Sequence, residues 1–156
     1  MVERCASSEH PGWLELRRGL WPDCPDSEHR AEMDSFCARP EQFGQFVAYD
    51  AEGEPVGFVE ASVRQDYVNG AESSPVGFLE ALYVVPKARQ RGIGAALVRA
   101  AEQWVRGVGC REMASDAAID NELSHKVHRA LGFLESERVV FFRKRLGLDE
   151  SHGDPR

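Results

Sequence analysis

No apolar run in these 156 residues reaches the roughly 18 that a membrane-spanning helix needs. The N-terminus lacks a basic region followed by an apolar one, so no secretory leader is expected and the cytoplasm is the expected compartment. Cysteine is sparse. Cys5, Cys24, Cys37 and Cys110 are widely and irregularly spaced, with no C-x-x-C pair. A zinc site or redox pair is therefore not expected, and reduced thiols are. Positive charge is also in deficit, with a formal net charge of −7. That argues against a nucleic-acid binder, whose affinity comes largely from Lys and Arg neutralising phosphates. It suits a cationic ligand, which a carboxylate-lined cleft attracts, although acidity also serves solubility alone. Repeats and low-complexity segments are absent.

What remains is a chain of single-domain length, expected to fold over residues 1–146 and to end in a polar, flexible tail, 147–156. A short strand near the start precedes a helix carrying Trp13, Leu14, Leu16 and Leu20 at roughly helical spacing. The proline-punctuated loop Pro22–Pro25 follows it. Asp26 or Ser27 is the expected cap of a second helix reaching Ala38. Strands are expected over Phe43–Tyr49, Val56–Arg64 and Val76–Val85, the first two joined by a turn at Asp50–Pro55. A helix with Ile93, Leu97, Ala100, Ala101, Trp104 and Val105 on one face comes next. Then come a short strand Arg111–Asp116, a helix Asn121–Leu131 capped by Asp120, and a final strand Arg138–Arg145. The fold class is α/β (α+β), a mixed, mostly antiparallel central sheet with helices on both faces.

Between the third strand and its helix lies Arg89-Gln90-Arg91-Gly92-Ile93-Gly94. Free N–H groups at a helix N-terminus favour a phosphate, and the two glycines let a pyrophosphate approach the backbone closely. The loop has no Gly-Lys-Ser/Thr, which excludes the nucleotide-hydrolase loop. It also lacks the third glycine of the dinucleotide fingerprint and comes too late in the chain for it. Without its surroundings the loop is equally readable as an ordinary glycine-rich helix start.

Arg89-x-x-Gly92-x-Gly94, following Tyr83-Val-Val-Pro86, resembles the acetyl-CoA motif of GNAT N-acetyltransferases. Asn121 followed by Leu131-Gly132-Phe133 resembles the next motif of that superfamily. Within it, Leu20–Pro22, Asp66–Gly70, Phe78–Glu80, Glu112–Asp116 and Glu135–Val139 are similar to aminoglycoside N-acetyltransferases that modify the 6′-amino group, antibiotic-resistance acyltransferases. The likeness runs from about Trp13 to Leu146. It implies acetyl-CoA as cosubstrate, with no metal, and an aminoglycoside or other polycationic amine as acceptor. Neither nucleic acid nor membrane is an expected partner.

The resemblance also implies roles. The backbone of Leu82, Tyr83 and Val84 would hold the pantetheine arm and one N–H would stabilise the oxyanion. Arg89 to Gly94 would take the pyrophosphate, and Asn121 would bond the cofactor unless it serves only as a helix cap. Trp21, Cys24, Tyr67, Glu80, Asp116 and Glu137 would line the substrate side. Glu80 is the first candidate for the base and Asp116 the second. A charge inside the apolar run Phe78–Leu82 is costly unless it faces a cleft, which independently favours a functional Glu80. His128 stands seven residues after Asn121, where many superfamily members place a tyrosine that protonates the thiolate; an ordinary helix histidine is the alternative. His125 and His128 lack a third metal ligand. A homodimer is implied as well, and Val139–Phe142 offers an apolar strand edge for it. Two other readings remain, a GNAT enzyme for a polyamine or a peptide N-terminus and a non-catalytic acyl-CoA sensor.

Overall fold

The structure is a computed structural model, and it describes residues 1–147. The polar tail expected from Gly147 falls, beyond that residue, outside the described residues. Along the chain run β1 (Val2–Arg4), α1 (Trp13–Leu20), α2 (Asp26–Cys37), β2 (Phe43–Tyr49), β3 (Pro55–Arg64), β4 (Val76–Val84), α3 (Ile93–Gly107), β5 (Met113–Ala114) and α4 (Glu122–Ala130). A 3₁₀ turn, Pro86–Ala88, joins β4 to the glycine loop.

The strands lie in one sheet in chain order. The pairs from β1 to β4 are antiparallel; β2 and β3 form a hairpin, while α1 and α2 lie in the connection from β1 to β2. The last pair, β4 with β5, is parallel because α3 carries the chain back across the sheet. Leu97, Val98, Ala101 and Val105 form the buried face of α3. Leu97 and Ala101 pack with Val59, Ala61 and Leu79 on one side of the sheet. On the other side Trp13 and Leu16 of α1 and Met33 of α2 meet Val47, Phe58 and Ala81. Helices thus cover both faces of a mixed, mostly antiparallel sheet.

Several local expectations are corrected. Pro25, not Asp26 or Ser27, is the N-cap of α2. Asp26 is already helical and pairs with Arg18 of α1 through two hydrogen bonds. Asn121, not Asp120, caps α4; its Oδ1 accepts the Ser124 N–H at 3.1 Å. The strand expected over Arg111–Asp116 shrinks to two paired residues. Arg138–Arg145 forms no strand at all. Its β-like composition needs a ladder partner, and the sheet already ends at β5 within this chain. Phe141 and Phe142 are left 83% and 93% exposed.

A polar cluster is built into the α1–α2 face. Arg17 is 1% exposed and its Nη1 donates to Glu60 Oε1 at 2.5 Å. Its other amine bonds Glu32, and its Nε donates to His29 Nδ1 at 3.2 Å. Trp13 Nε1 donates to the same Glu60 oxygen at 2.9 Å. Burial pushes the Glu60 carboxyl up, and the Arg17 guanidinium and the Trp13 N–H pull it back.

Removing Arg17 strands a buried carboxylate, so Arg17→Met is expected to cost about 3 kcal/mol in urea unfolding at neutral pH. In that variant the folded state binds the Glu60 proton more tightly than the unfolded state does. Stability is therefore regained as pH falls through the raised folded-state value and lost above it. An equal deficit at pH 5 and pH 8 would contradict this account of Glu60.

Candidate active site

The site is made by β4 parting from its neighbours. Gly77 and Phe78 pair with Met113 and Ala114, and no further β4–β5 pairs follow. On the β3 side, Glu60 faces Ala81 but Ala61 faces Leu79. Glu80 is therefore an extra residue, a β-bulge, which bends the strand at that point. From the bulge to Val84 the outer edge of β4 lies open.

The alternation of an antiparallel ladder decides which backbone groups this edge offers. Val85 N–H bonds Val56 C=O at 2.9 Å, so residue 85 and, two residues back, Tyr83 face β3. The N–H and C=O groups of Leu82 and Val84 face outward. Of the three residues expected to present backbone, Tyr83 is thus turned inward, and its ring packs on Phe58 beneath Gly19. The Val84 carbonyl is taken by Arg89 Nε at 2.9 Å. The Arg89 guanidinium carbon lies 5.9 Å from the centre of the Tyr83 ring.

The loop itself fits an anion. Gln90 and Gly92 are left-handed, with φ of 61° and 78°. Such turns direct successive N–H groups into one concavity. Gly92 caps α3 and no side chain caps it, so the Ile93, Gly94 and Ala95 amides have no partner among the described residues. Gly94 is the telling position. Its φ is not left-handed. A Cβ there would meet only Val84 Cγ2 at 3.9 Å and Leu82 Cδ2 at 4.0 Å, ordinary contacts. The protein thus has room for a side chain in a helix where glycine is a poor choice. The open β4 edge on one side and the free amides of α3 on the other are two sets of unpaired backbone groups. A pyrophosphate and an extended amide arm have the shape and bonding to use both.

Asn121 stands at the start of α4, its Oδ1 spent on the cap. His128 is pinned between α4 and β5. Its Nε2 is 2.8 Å from Ser115 Oγ, and its Nδ1 is 2.7 Å from the Ser124 carbonyl. That carbonyl can only accept, so Nδ1 donates to it. Ser115 Oγ is also 3.3 Å from the Leu79 carbonyl, one residue before the bulge.

Arg64, Tyr67, Phe78, Asp116, His128 and Glu137 line one cleft of about 1050 Å³. The loop carrying Tyr67 is fastened by Glu112, which accepts from the Glu72 N–H and the Ser73 hydroxyl. The Ser73 hydroxyl holds the Glu112 carboxyl below its usual range. Gly70 lies so close to Ser136 that a Cβ would come within 2.1 Å of its hydroxyl, which ties the segment bearing Glu137 to the same loop. Arginines and carboxylates alternate around the cleft, but Asp116 and Glu137 have no ion-pair partner among the described residues. Glu80 is exposed and meets the cleft through Arg64. Trp21 and Cys24 line a separate hollow of about 430 Å³ with Arg17 and Glu32. There the Trp21 ring packs edge-on against Phe58 and under the Arg17 guanidinium. The Cys24 Sγ reaches only Glu28 and the Pro25 carbonyl, each at 3.7 Å. Among the described residues no group of three His, Cys, Asp or Glu side chains could hold a metal.

The acetyltransferase (GNAT) family matches residues 13–133. The chain belongs to the GNAT acetyltransferase family. The aminoglycoside N(6′)-acetyltransferase type 1 of Salmonella typhimurium is 49% identical over 133 residues, 85% of this chain and 90% of that one. The protein of the same name from Serratia marcescens is 46% identical over 94% of this chain and 100% of its own. Among solved structures, AAC(6′)-Iy in complex with the bisubstrate analogue CoA-S-monomethyl-acetylneamine superposes with a TM-score of 0.87 at 44% identity, covering 94% of this chain and 98% of that one. Apo AAC(6′)-IG from Acinetobacter haemolyticus gives 0.87 at 42%, covering 94% and 99%. The mixed sheet with its parted β4 is therefore a GNAT sheet.

Side-chain partners were the part of this GNAT site that sequence reasoning missed. Ser62 and Arg64 both reach Glu80, and Ser115 and Ser124 hold His128. Strand alternation puts Ser62 and Arg64 on one face, which was readable. Their meeting with Glu80 depended on the bulged register, which was not.

The Asn121 cap can be measured. Asn121→Ala is expected to cost about 1 kcal/mol and to speed hydrogen exchange at the Ser124 amide, whereas Asn121→Asp keeps the cap. Unchanged exchange in Asn121→Ala would show that the cap bond contributes nothing.

Proposed function

We propose that this chain transfers the acetyl group of acetyl-CoA to the 6′-amino group of aminoglycoside antibiotics. The observation that carries the reading is the open β4 edge followed in the chain by the free amides of Ile93, Gly94 and Ala95. The named activity of relatives that match nearly the whole chain supplies the acceptor.

Bound acetyl-CoA supplies a thioester carbonyl carbon. The chain's own groups would do the rest. Arg89, Gln90, Arg91, Gly92, Ile93 and Gly94 hold the pyrophosphate, and Asn121 contributes its free amide N–H₂. The outward N–H groups of Leu82 and Val84 hold the arm and stabilise the oxyanion that forms as the amine attacks. Glu80 receives the proton the amine loses, with Asp116 as the alternative acceptor. The C–N bond forms, the C–S bond breaks, and the leaving sulfur takes a proton. His128, 2.8 Å from the Ser115 hydroxyl, would supply or relay that proton. Asp116 and Glu137, free of ion pairs among the described residues, attract the remaining ammonium groups, and Tyr67 offers a face to the sugar rings; Trp21 and Cys24 would reach the substrate only from the separate hollow they line. Acetylation converts a cationic amine to a neutral amide, which would weaken a drug that relies on that charge and so confer resistance.

We place the acetyltransferase domain at residues 1–146. The exposed apolar stretch Val139–Phe142 supports a homodimer, each copy covering the other's segment. Four free thiols support a cytoplasmic setting. No described helix is long and apolar enough to cross a membrane, and the net charge of −7 disfavours nucleic acid.

Acetyl-CoA consumption, followed side by side with a kanamycin-type aminoglycoside and with spermidine, tests the acceptor. Turnover is expected with the aminoglycoside, and its absence with every aminoglycoside tried would sink the proposal. In the same assay Glu80→Gln should slow turnover about 100-fold or more while CoA still binds. An unchanged rate would remove Glu80 as base. Gly94→Ala separates fold from function. It should leave the melting temperature equal or higher, since alanine gains about 0.5–1 kcal/mol in a helix. It should also raise the KM for acetyl-CoA about tenfold. A wild-type KM would mean that the space at Gly94 is not the cofactor's.

A further inference from the structure

The bulge that frees the β4 edge also leaves Glu80 without a cross-strand neighbour. Side chains in a regular ladder are steadied by the residue opposite, and Glu80 has none. Its carboxylate is nevertheless held. Ser62 Oγ donates to Oε1 at 2.5 Å, and Arg64 Nη2 donates to the same oxygen at 2.9 Å. Oε2 has no partner among the described residues. Arg64 is itself seated: its guanidinium carbon lies 3.5 Å from the centre of the Phe78 ring, and Phe78 is buried in β4. Ser62, buried at 3% exposure, is directly opposite Phe78 in the ladder.

We infer that Arg64 is the positioning residue for Glu80, fixing one carboxylate oxygen so that the other points at the reacting amine. This rests on the reading of Glu80 given above. The Arg64–Glu80 pair is partly exposed on both sides, 43% and 34%, and such pairs contribute little to folding. Two donors converging on a single oxygen serve direction better than stability. They define the torsion of the carboxylate and leave one oxygen free for chemistry. Proximity catalysis makes that direction matter, because a small misplacement of the proton acceptor is felt in the transition state and much less in the ground state.

The experiment is steady-state kinetics with acetyl-CoA and a kanamycin-type aminoglycoside on the full chain. The variants are Arg64→Met, Arg64→Lys, Glu80→Gln and the double variant Arg64→Met/Glu80→Gln. Arg64→Met is expected to lower kcat about fivefold with the aminoglycoside KM within about twofold, and Arg64→Lys to recover part of the loss. In the Glu80→Gln background the Arg64 change should add less than about twofold, since Arg64 acts through Glu80. Circular dichroism checks folding, and Arg64→Gln carries the same expectation should the methionine variant fold poorly. Three results would overturn the inference: a wild-type kcat in Arg64→Met, the same fivefold loss in the Glu80→Gln background, or a lowered KM with kcat kept. The last would make Arg64 a cation that competes with the substrate for Glu80. A wild-type rate in Glu80→Gln is a separate outcome: it removes the role of Glu80 itself, and it is read before any Arg64 variant.

Discussion

The site depends on where the hydrogen bonding between β4 and β5 stops. Two residues of β4 are paired to β5, and the bulge at Glu80 then turns the strand away. An open strand edge is ordinarily a liability, since unpaired N–H and C=O groups invite another chain. Here the edge is short, ends in the Pro86–Ala88 turn, and is partly closed by Arg89 bonding Val84. What stays free is a pair of amide-bearing residues followed by an uncapped helix. A long ligand with amides at one end and phosphates at the other satisfies both sets.

Holding a bent strand in place requires support from the sheet's other face, which β3 provides in graded fashion. Phe58, Glu60, Ser62 and Arg64 alternate along one side of it. Phe58 is covered by α1 and α2 and packs against Trp21. Glu60 is buried in the Arg17 cluster. Ser62 and Arg64 turn to Glu80. A single strand face thus passes from apolar core through a buried ion pair to the floor of the cleft. The buried pair gains little in stability over an apolar pair of the same size. It does fix α1, and with it Trp21, in one place relative to the bulge.

Much of this was legible in the chain. The described helices and strands followed from composition, period and punctuation, as in Phe43–Tyr49, where an apolar β-like run ends at a turn, and α3, where apolar residues keep one face. The glycine loop was legible because two glycines before an apolar helix have a backbone meaning. Arg138–Arg145 was not, because strand propensity says what a segment suits and nothing about whether a partner is within reach. Asp120 and Asn121 are both good caps, and in the fold it is the Asn121 Oδ1 that meets the Ser124 N–H.

The sequence by itself determined the kind of protein through the resemblance of Arg89–Gly94, Asn121 and Leu131-Gly132-Phe133 to the GNAT motifs, which are local stretches of chain; the loop and the acidic balance alone allowed other readings. Tertiary structure alone decided which groups are free to act. A strand's pattern is the same whether its register is regular or bulged, so only the folded ladder shows that Leu82 and Val84 face outward and Tyr83 inward. By the same shift Glu80 leaves its place in the ladder and comes to rest on Arg64.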